Sequence, residues 1–182
     1  MDIKLVPIQQ NDLEIIRNWR NSAEISQYMY TNDQISQQQQ ENWFKNIQTD
    51  VTQKLWMIEY DDQKIGVANL YNIKQNFKTC YWGFYLGNSS IRGAGIGSKV
   101  EYNVLKYVLE EMNFNKLLCE VFISNESVIK MHEKFGFRRE GYFREQILKN
   151  NKFIDIVSLA MLQSEWKSVK EYHYNRIYTN EA

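Results

Sequence analysis

The order of apolar and polar positions along the chain predicts alternating strands and helices. Alternating or continuous apolar runs predict strands at residues 3–8, 55–60, 65–73, 79–86 and 116–123. Two further strand-like runs, 139–149 and 152–162, flank Asn150 and Asn151, a residue pair suited to a tight hairpin turn.

Apolar residues at helical spacing predict helices between these strands. Asn11 and Ser36 each begin a capping-box-like sequence at the start of a helix. A third helix follows the glycines near residue 95, a fourth starts at Asn125 and is closed by Gly136, and residues 164–178 form a helical tail. Strands that alternate with helices indicate an α/β or mixed-sheet domain.

The charge balance and the apolar runs exclude several classes of protein. Lys+Arg and Asp+Glu both total 22 in 182 residues, and nucleic-acid binding is not expected because it needs a surplus of positive charge. No apolar run approaches the ~20 residues of a membrane span, and the N-terminus has no signal-peptide core. The two cysteines, Cys80 and Cys119, have no metal-binding or disulfide spacing. A cytoplasmic protein with no metal site and no membrane partner is therefore predicted.

Three of the five residues from 93 to 97 are glycines, and they stand directly before a long amphipathic run. Glycine costs roughly 1 kcal/mol relative to alanine inside a helix, so this cluster predicts a tight turn or the close approach of a ligand to the backbone. A glycine turn between a strand and a helix offers free N–H groups and a helix dipole to an anion. The spacing matches neither GxxxxGK[ST] nor GxGxxG. Taken alone, the run fits an anion site or a simple strand-to-helix turn equally well.

Two motifs together are more specific. The sequence RGAGIG at residues 92–97 resembles the R/Q-x-x-G-x-G/A signature of the GCN5-related N-acetyltransferase (GNAT) family. The sequence that starts with NES and ends with FGF, at residues 125–137, resembles the second acetyl-CoA motif of that family. One helix and one strand separate the two motifs, as the family requires, and the resemblance covers almost the whole chain.

The resemblance implies a donor and its binding residues. Acetyl-CoA would be the acetyl donor, with its pyrophosphate held by backbone N–H groups of the glycine turn and by the charge of Arg92. The implied cofactor-binding residues are Leu86, Arg92, Gly93, Ala94, Gly95, Ile96, Gly97, Ser98, Asn125 and Lys130. The implied fold is a single α/β (α+β) domain over residues 1–182, with a helical tail at 163–182. Its central mixed, mostly antiparallel sheet would have about seven strands flanked by about four helices.

The N-terminal half resembles the sugar-nucleotide N-acetyltransferases of pseudaminic acid biosynthesis. The matching residues are WRN at 19–21, YMY at 28–30, and the segment 35–44 that ends in WF; the YWGFY strand and the last hairpin also fit. This resemblance implies a UDP-amino sugar as the small-molecule acceptor, acetylated on the 4-amino group of UDP-4-amino-4,6-dideoxy-N-acetyl-β-L-altrosamine. The implied acceptor-binding residues are Arg20, Met29, Tyr30, Gln40, Trp43 and Tyr81.

These residue types suit such an acceptor. The fork of Arg20 matches phosphate oxygens, and aromatic faces stack on bases and sugars. Gln40 stands where the family often has a histidine; it can donate a hydrogen bond but carries no charge. Structural roles are also open for these residues. Trp19 and Trp43 could be core residues, Arg20 could form a surface ion pair, and one tyrosine of residues 28–30 could serve only in packing.

Two residues are candidates for proton transfer. Glu120 lies in the otherwise apolar strand 116–123, where loss of water makes a carboxylate a better base. His132 occupies the position at which the family usually has a tyrosine acid, and imidazole can protonate a thiolate. The resemblance further implies that Tyr85 lies near the reacting amine and that a backbone N–H of strand 81–86 holds the oxyanion. The alternatives are a solvent-facing edge carboxylate and a helix-surface histidine.

Two other functions remain open at this point. One is an acetyltransferase for protein N-termini of the ribosomal-protein alanine type, which shares the late R-E-G and D-x-V features, although a ribosomal target favours a more basic surface. The other is a non-catalytic acetyl-CoA-binding module, which Glu120, Arg92 and Asn125 argue against. The oligomeric state is also open, with a homodimer as one expectation.

Overall fold

A computed structural model describes residues 2–87 and 95–179, and its centre is one seven-stranded sheet in the order β1-β2-β3-β4-β5-β7-β6. The strands are β1 (Ile3–Pro7), β2 (Lys54–Tyr60), β3 (Gln63–Lys74), β4 (Thr79–Leu86), β5 (Lys116–Phe122), β6 (Arg138–Lys149) and β7 (Lys152–Leu162). Every neighbouring pair is antiparallel except β4 and β5, which are parallel. The predicted mixed, mostly antiparallel sheet is therefore confirmed.

Six α-helices accompany the sheet within the described residues. They are α1 (Leu13–Asn21), α2 (Ala23–Ser26), α3 (Gln37–Ile47), α4 (Ile96–Lys106), α5 (Glu126–Phe135) and α6 (Gln163–Tyr174). The last helix is the predicted tail, so five helices precede it instead of about four. The short α2 was not predicted; it forms because the Ser22 hydroxyl accepts a hydrogen bond from the backbone N–H of Ile25 at 3.4 Å. No helix within 2–87 or 95–179 has the length and apolar character needed to cross a bilayer.

The two predicted capping boxes have different outcomes. At α3 the prediction is confirmed, because Ser36 and Gln39 exchange side-chain and backbone hydrogen bonds. At α1 the prediction from Asn11 is wrong. A 3-10 turn (Gln10–Asp12) comes first, and Asp12 accepts from the backbone N–H of Gln9 at 2.8 Å. Asp12 is buried and ion-paired with Lys64, which fixes this start from across the fold.

Both faces of the sheet are covered. The larger core lies against α4, α5 and α6 and includes Trp56 and Ile58 from β2. The smaller core lies under α1 and α3 and includes Met57, the residue between them. Because successive strand residues point to opposite faces, this alternation identifies the two layers. On β4 and β5 the buried residues Cys80, Trp82, Leu117 and Cys119 belong to the larger core, and half-buried Tyr85 packs against the smaller one.

Candidate active site

The parallel strands β4 and β5 separate partway along their length. They pair at three positions, Thr79 with Lys116, Cys80 with Leu117, and Tyr81 with Leu118. Past this last rung β4 continues to Leu86 and β5 to Phe122, each still paired with its other neighbour. The edge of β4 that faces β5 therefore offers backbone groups that β5 does not satisfy, in a V-shaped opening whose apex is the Tyr81–Leu118 rung.

Helix α4 begins beside this opening with Gly95 in a left-handed conformation (φ 73°). Outside its chain neighbours and its own helix backbone, a Cβ placed on Gly95 would have no atom of residues 2–87 or 95–179 within 4 Å, so these residues leave the space at the helix start open. Gly97 is close-packed instead, since a Cβ there would lie 3.2 Å from the sulfur of Met131. Glycine suits Gly95 because of its positive φ, and it suits Gly97 because of the close contact with Met131. The remaining turn residues, Arg92, Gly93 and Ala94, and the charge predicted for Arg92, lie outside the described residues.

A basic cavity of about 270 Å³ lies between α4, α5 and the C-terminal segment. It brings together two predicted cofactor residues, Ser98 and Lys130, and its lining is Ser98, Ser127, Lys130, Met131, Lys134, Phe135 and Arg176. The sequence reasoning missed Lys134 and Arg176, which add two positive charges. Such a set of cations and hydroxyls suits phosphate groups. Asn125 stands at the start of α5 without capping it, and its amide oxygen accepts from Ser127.

On one face of the sheet, Glu120 lies among tyrosines. The hydroxyl of Tyr30 donates a hydrogen bond to Oε2 of Glu120 at 2.6 Å. Burial and then this bond raise the pKa of Tyr30 above its ordinary value. The rings of Tyr71 and Tyr81 lie 5.4 Å apart, and for both phenols burial and then the charge of Glu120 raise the pKa. Glu120 is thus a carboxylate surrounded by three neutral phenols.

On the opposite face, His132 is buried in contact with two groups that bind protons. Its Nδ1 lies 2.7 Å from Oε1 of Glu101, and the thiol of Cys119 lies close enough to affect its pKa. Burial alone would lower the pKa of His132, but Glu101 and Cys119 raise it to about 10. The Trp82 ring lies 5.4 Å from the imidazole, edge-on.

These two groups flank the apex of the opening. Cys119, in contact with His132, is the first residue of β5 past the last rung with β4, and Glu120 is the next. Since neighbouring strand residues point to opposite faces, His132 and Glu120 lie on either side of the sheet. A reacting group between the separated strands would therefore have the imidazole of His132 on one side of the sheet and the carboxylate of Glu120 on the other.

Arg20 of α1 brings positive charge to the far end of β4. Burial raises the pKa of Tyr85, a residue of that end, and the charge of Arg20 opposes the rise. Arg20 also adds to burial in lowering the pKa of Lys149. The Nε of Arg20 is buried without a hydrogen-bond partner, and no salt bridge joins Arg20 to another residue within 2–87 or 95–179.

The other predicted acceptor residues are more dispersed. Trp19 packs against Gly87, and Trp43 packs against the smaller core, so both have a structural role. Gln40 is buried beside a groove of about 260 Å³ between α1 and α3, and its Nε2 has no partner among the residues described. Met29 is half-buried and precedes Tyr30. The structure brings together Tyr30, Tyr81 and Glu120, while Gln40 and Trp43 belong to the α1–α3 layer.

The chain resembles known proteins over most of its length. A family model described as the acetyltransferase (GNAT) domain matches residues 2–138. The acetyltransferase PseH of Campylobacter jejuni subsp. jejuni is 28% identical over 130 residues, which are 71% of this chain and 79% of that protein. The spermidine N(1)-acetyltransferase of Vibrio cholerae is 23% identical over 171 residues, 93% of this chain and 98% of that protein.

A solved structure has the same fold. The crystal structure of spermidine N-acetyltransferase from Vibrio cholerae, in complex with CoA and spermine, covers 91% of this chain and 98% of its own with a TM-score of 0.86 at 21% identity. The chain belongs to the GNAT acetyltransferase family. It is an acetyl-CoA-dependent N-acetyltransferase, as the sequence motifs predicted.

Proposed function

We propose that this enzyme acetylates the amine of a UDP-linked amino-deoxy sugar, the 4-amino group of UDP-4-amino-4,6-dideoxy-N-acetyl-β-L-altrosamine. The observation that carries this proposal is Arg20, a partly buried guanidinium without an ion-pair partner among the described residues. A buried cation is costly unless it is paired, and the diphosphate of a nucleotide sugar would pair it. The similarity to PseH supports the same class of acceptor.

The donor would lie in the opening between β4 and β5. Its phosphates would lie at the Gly95 turn and in the basic cavity lined by Ser98 and Lys130. Its thioester carbonyl would accept a hydrogen bond from a backbone N–H on the free edge of β4. Such a preformed donor stabilises the oxyanion of the tetrahedral intermediate.

Proton transfer would then take place on the two faces of the sheet. The acceptor amine attacks the acetyl carbon in its neutral form, and Glu120 accepts a proton from the amine nitrogen, through a water, as the nitrogen–carbon bond forms. The intermediate collapses by breaking the carbon–sulfur bond, and His132 protonates the departing thiolate. The products are the acetamide and CoA. Tyr85, next to Arg20, would lie near the amine end of the acceptor.

A polyamine is the second candidate acceptor, because the Vibrio cholerae spermidine acetyltransferase matches almost the full length of the chain. A polyamine carries several positive charges and favours a site rich in carboxylates. The acceptor side as described offers Glu120, already bonded to Tyr30, with the positive charges of Arg20 and Lys149 nearby. The local charge favours the sugar nucleotide.

The test is a comparison of acceptors under one set of conditions. Purified enzyme is incubated with acetyl-CoA and, separately, the UDP-amino sugar, spermidine, and a peptide with an N-terminal alanine. CoA release is followed by thiol titration and the acetylated product by mass spectrometry. We expect the sugar nucleotide to have the highest kcat/KM, and Glu120→Gln to abolish its turnover. A higher kcat/KM for spermidine or for the peptide would overturn the proposed acceptor.

A further inference from the structure

The end of the last hairpin reaches back to the acceptor side of the site. Strands β6 and β7 are joined by Asn150 and Asn151, both with positive φ (51° and 58°), in a two-residue turn. The turn fixes the register, so Lys149 pairs with Lys152 at the last rung. The side chain of Lys149 is only 7% exposed, which is unusual for a lysine.

The Lys149 ammonium group is held by backbone carbonyls of a distant segment. It donates hydrogen bonds to the carbonyls of Ser26 at 2.6 Å and Gln27 at 3.0 Å, and to that of Met29. Next to it, the amide of Asn32 donates to the side-chain oxygen of Asn150. Two neighbouring residues of the hairpin therefore tie down the segment that follows α2.

The segment held in this way carries Tyr30. Its ring stacks on Phe122 at 5.6 Å, and the Lys149 ammonium lies 5.5 Å from the centre of the same Phe122 ring. The Tyr30 hydroxyl reaches Glu120, which lies 90 positions away in the sequence. Lys149, Phe122 and Tyr30 thus form a continuous set of contacts that ends on the carboxylate.

We propose that Lys149 is a positioning residue for the acceptor half of the reaction: it holds residues 26–30 so that the Tyr30 hydroxyl stays on Oε2 of Glu120. The inference rests on the proposed role of Glu120 as the base. With Oε2 bonded to the phenol, Oε1 is the oxygen left to take the proton from the amine. The tether fixes which carboxylate oxygen faces the acceptor.

Lys149 does not serve as a phosphate-binding cation in this arrangement. An ammonium group has three N–H donors, and three carbonyls accept from this one. A phosphate would have to displace the segment that bears Tyr30. Arg20, whose Nε has no partner within residues 2–87 and 95–179, is a cation of this region that a phosphate could pair.

The test removes the ammonium group and then restores it chemically. Lys149→Cys shortens the side chain, and alkylation with 2-bromoethylamine rebuilds one of nearly the same length and charge. Iodoacetamide gives a matched neutral adduct on the same sulfur. The natural cysteines, Cys80 and Cys119, are buried, and mass spectrometry of the folded protein confirms a single modification. Lys149→Met, which keeps the volume, replaces Lys149→Cys if that variant does not fold.

The first readout is independent of the acceptor. A 3-fluorotyrosine placed at position 30 reports the hydrogen bond to Glu120 through its fluorine NMR shift, with Glu120→Gln as the reference for the lost charge-assisted bond. We expect Lys149→Cys to move the resonance away from its wild-type position, aminoethylation to return it, and the iodoacetamide adduct to leave it displaced. An unchanged resonance in a folded Lys149→Cys or Lys149→Met variant overturns the proposal.

The second readout is turnover of the UDP-amino sugar. We expect Lys149→Cys to lower kcat about tenfold to a hundredfold, as misplacement of a reacting group does, with acetyl-CoA affinity unchanged and with recovery on aminoethylation. In a Tyr30→Phe background, Lys149→Cys should lower kcat by less than about twofold. The two substitutions act through the same contact, that between Tyr30 and Glu120, so the second has little left to remove. Full additivity of the two losses overturns the inference. If Glu120→Gln keeps wild-type turnover, the proposed base is wrong, while the fluorine shift still decides whether Lys149 holds Tyr30.

Discussion

Nδ1 of His132 lies 2.7 Å from Oε1 of Glu101, and both side chains are buried. The second carboxylate oxygen of Glu101 has no hydrogen-bond partner in the part of the chain that the structure describes, and complete burial raises the pKa of this group, with His132 opposing the rise. A buried carboxylate of this kind is stable only with a proton close by. The pair therefore keeps a proton on or next to the imidazole under neutral conditions. This is the state that a proton donor to a thiolate needs.

Replacing Glu101 should change the pH dependence of catalysis. The carboxylate and Cys119 raise the pKa of His132 to about 10, so the wild-type rate should persist well above the ordinary histidine pKa of 6.5. Glu101→Gln keeps the shape of the side chain but removes its charge, and burial then lowers the imidazole pKa. We expect the alkaline limb of kcat to move to lower pH in Glu101→Gln. The measurement is kcat against pH at saturating acetyl-CoA and acceptor.

Direct replacement of His132 supplies the control. His132→Phe should lower kcat about a hundredfold to ten-thousandfold with little change in acetyl-CoA affinity. His132→Tyr should recover part of the rate, because tyrosine is the residue that the family resemblance implies there. Turnover of His132→Phe within threefold of wild type, on the order of 0.6 kcal/mol, would exclude the acid role. Tyr85 would then be the next candidate to supply the proton.

The same pair should make stability depend on pH. A histidine whose folded pKa is raised stabilises the fold fully below its unfolded value of 6.5, and this contribution is lost as pH rises toward about 10. The raised pKa of Glu101 has the same sign, since the folded state again binds more protons. Urea unfolding should show the free energy of unfolding falling with pH across this window. In Glu101→Gln the free energy of unfolding should fall less over the same pH range. A profile parallel to that of the wild type would contradict a proton shared between Glu101 and His132.

Local sequence patterns predicted much of this arrangement. Properties of a few neighbouring residues account for the left-handed Gly95 and Gly136 and for the turn at Asn150 and Asn151. They also account for the opposite facing of Glu120 and Cys119, which are neighbours in β5. Turn chemistry and strand alternation act over such short distances. The mixed, mostly antiparallel character of the sheet was implied by the family resemblance alone, and the strand order was not predicted, because pairing between distant segments leaves no periodic trace in the sequence.

The contacts that define the candidate site were not predictable in the same way. Tyr30 meets Glu120 across 90 positions, and Glu101 meets His132 across 31. Glu101 looks like an ordinary exposed residue of an amphipathic helix, yet it is fully buried. Lys149 looks like a solvated residue beside a turn. Tertiary packing decides each of these environments, and composition or periodicity does not reveal it.

Substitution of Gly95, which has a left-handed conformation, tests where acetyl-CoA binds. Gly95→Val introduces a β-branched side chain at a positive φ and into the open space before α4. We expect it to remove the thermal stabilisation by acetyl-CoA, which at a hundredfold excess over Kd amounts to ~2.7 kcal/mol for the parent enzyme. Gly95→Asn is the matched variant, because asparagine tolerates this backbone conformation. Loss of the shift in both variants indicates blocked phosphates; a normal shift in a folded Gly95→Asn enzyme would refute the assignment of this turn.

The guanidinium of Arg20, which has no ion-pair partner in the described ranges 2–87 and 95–179, allows the candidate acceptors to be told apart by mutation. If it binds the diphosphate of a nucleotide sugar, Arg20→Ala should weaken that acceptor by about 1.5–3 kcal/mol, the range for hydrogen bonds to charged groups. Acetyl-CoA affinity should be unchanged, because the cavity that suits its phosphates lies at α4 and α5. Arg17→Ala, one turn earlier on the same helix, makes the same change in net charge and should leave the acceptor KM unaltered. For a polycation such as spermidine, Arg20→Ala should have the opposite effect: its KM should fall, since the variant has lost a positive charge that repels it. Steady-state kinetics of the two variants with both acceptors therefore give opposite results for the two classes, and equal losses for donor and acceptor would indicate misfolding instead of recognition.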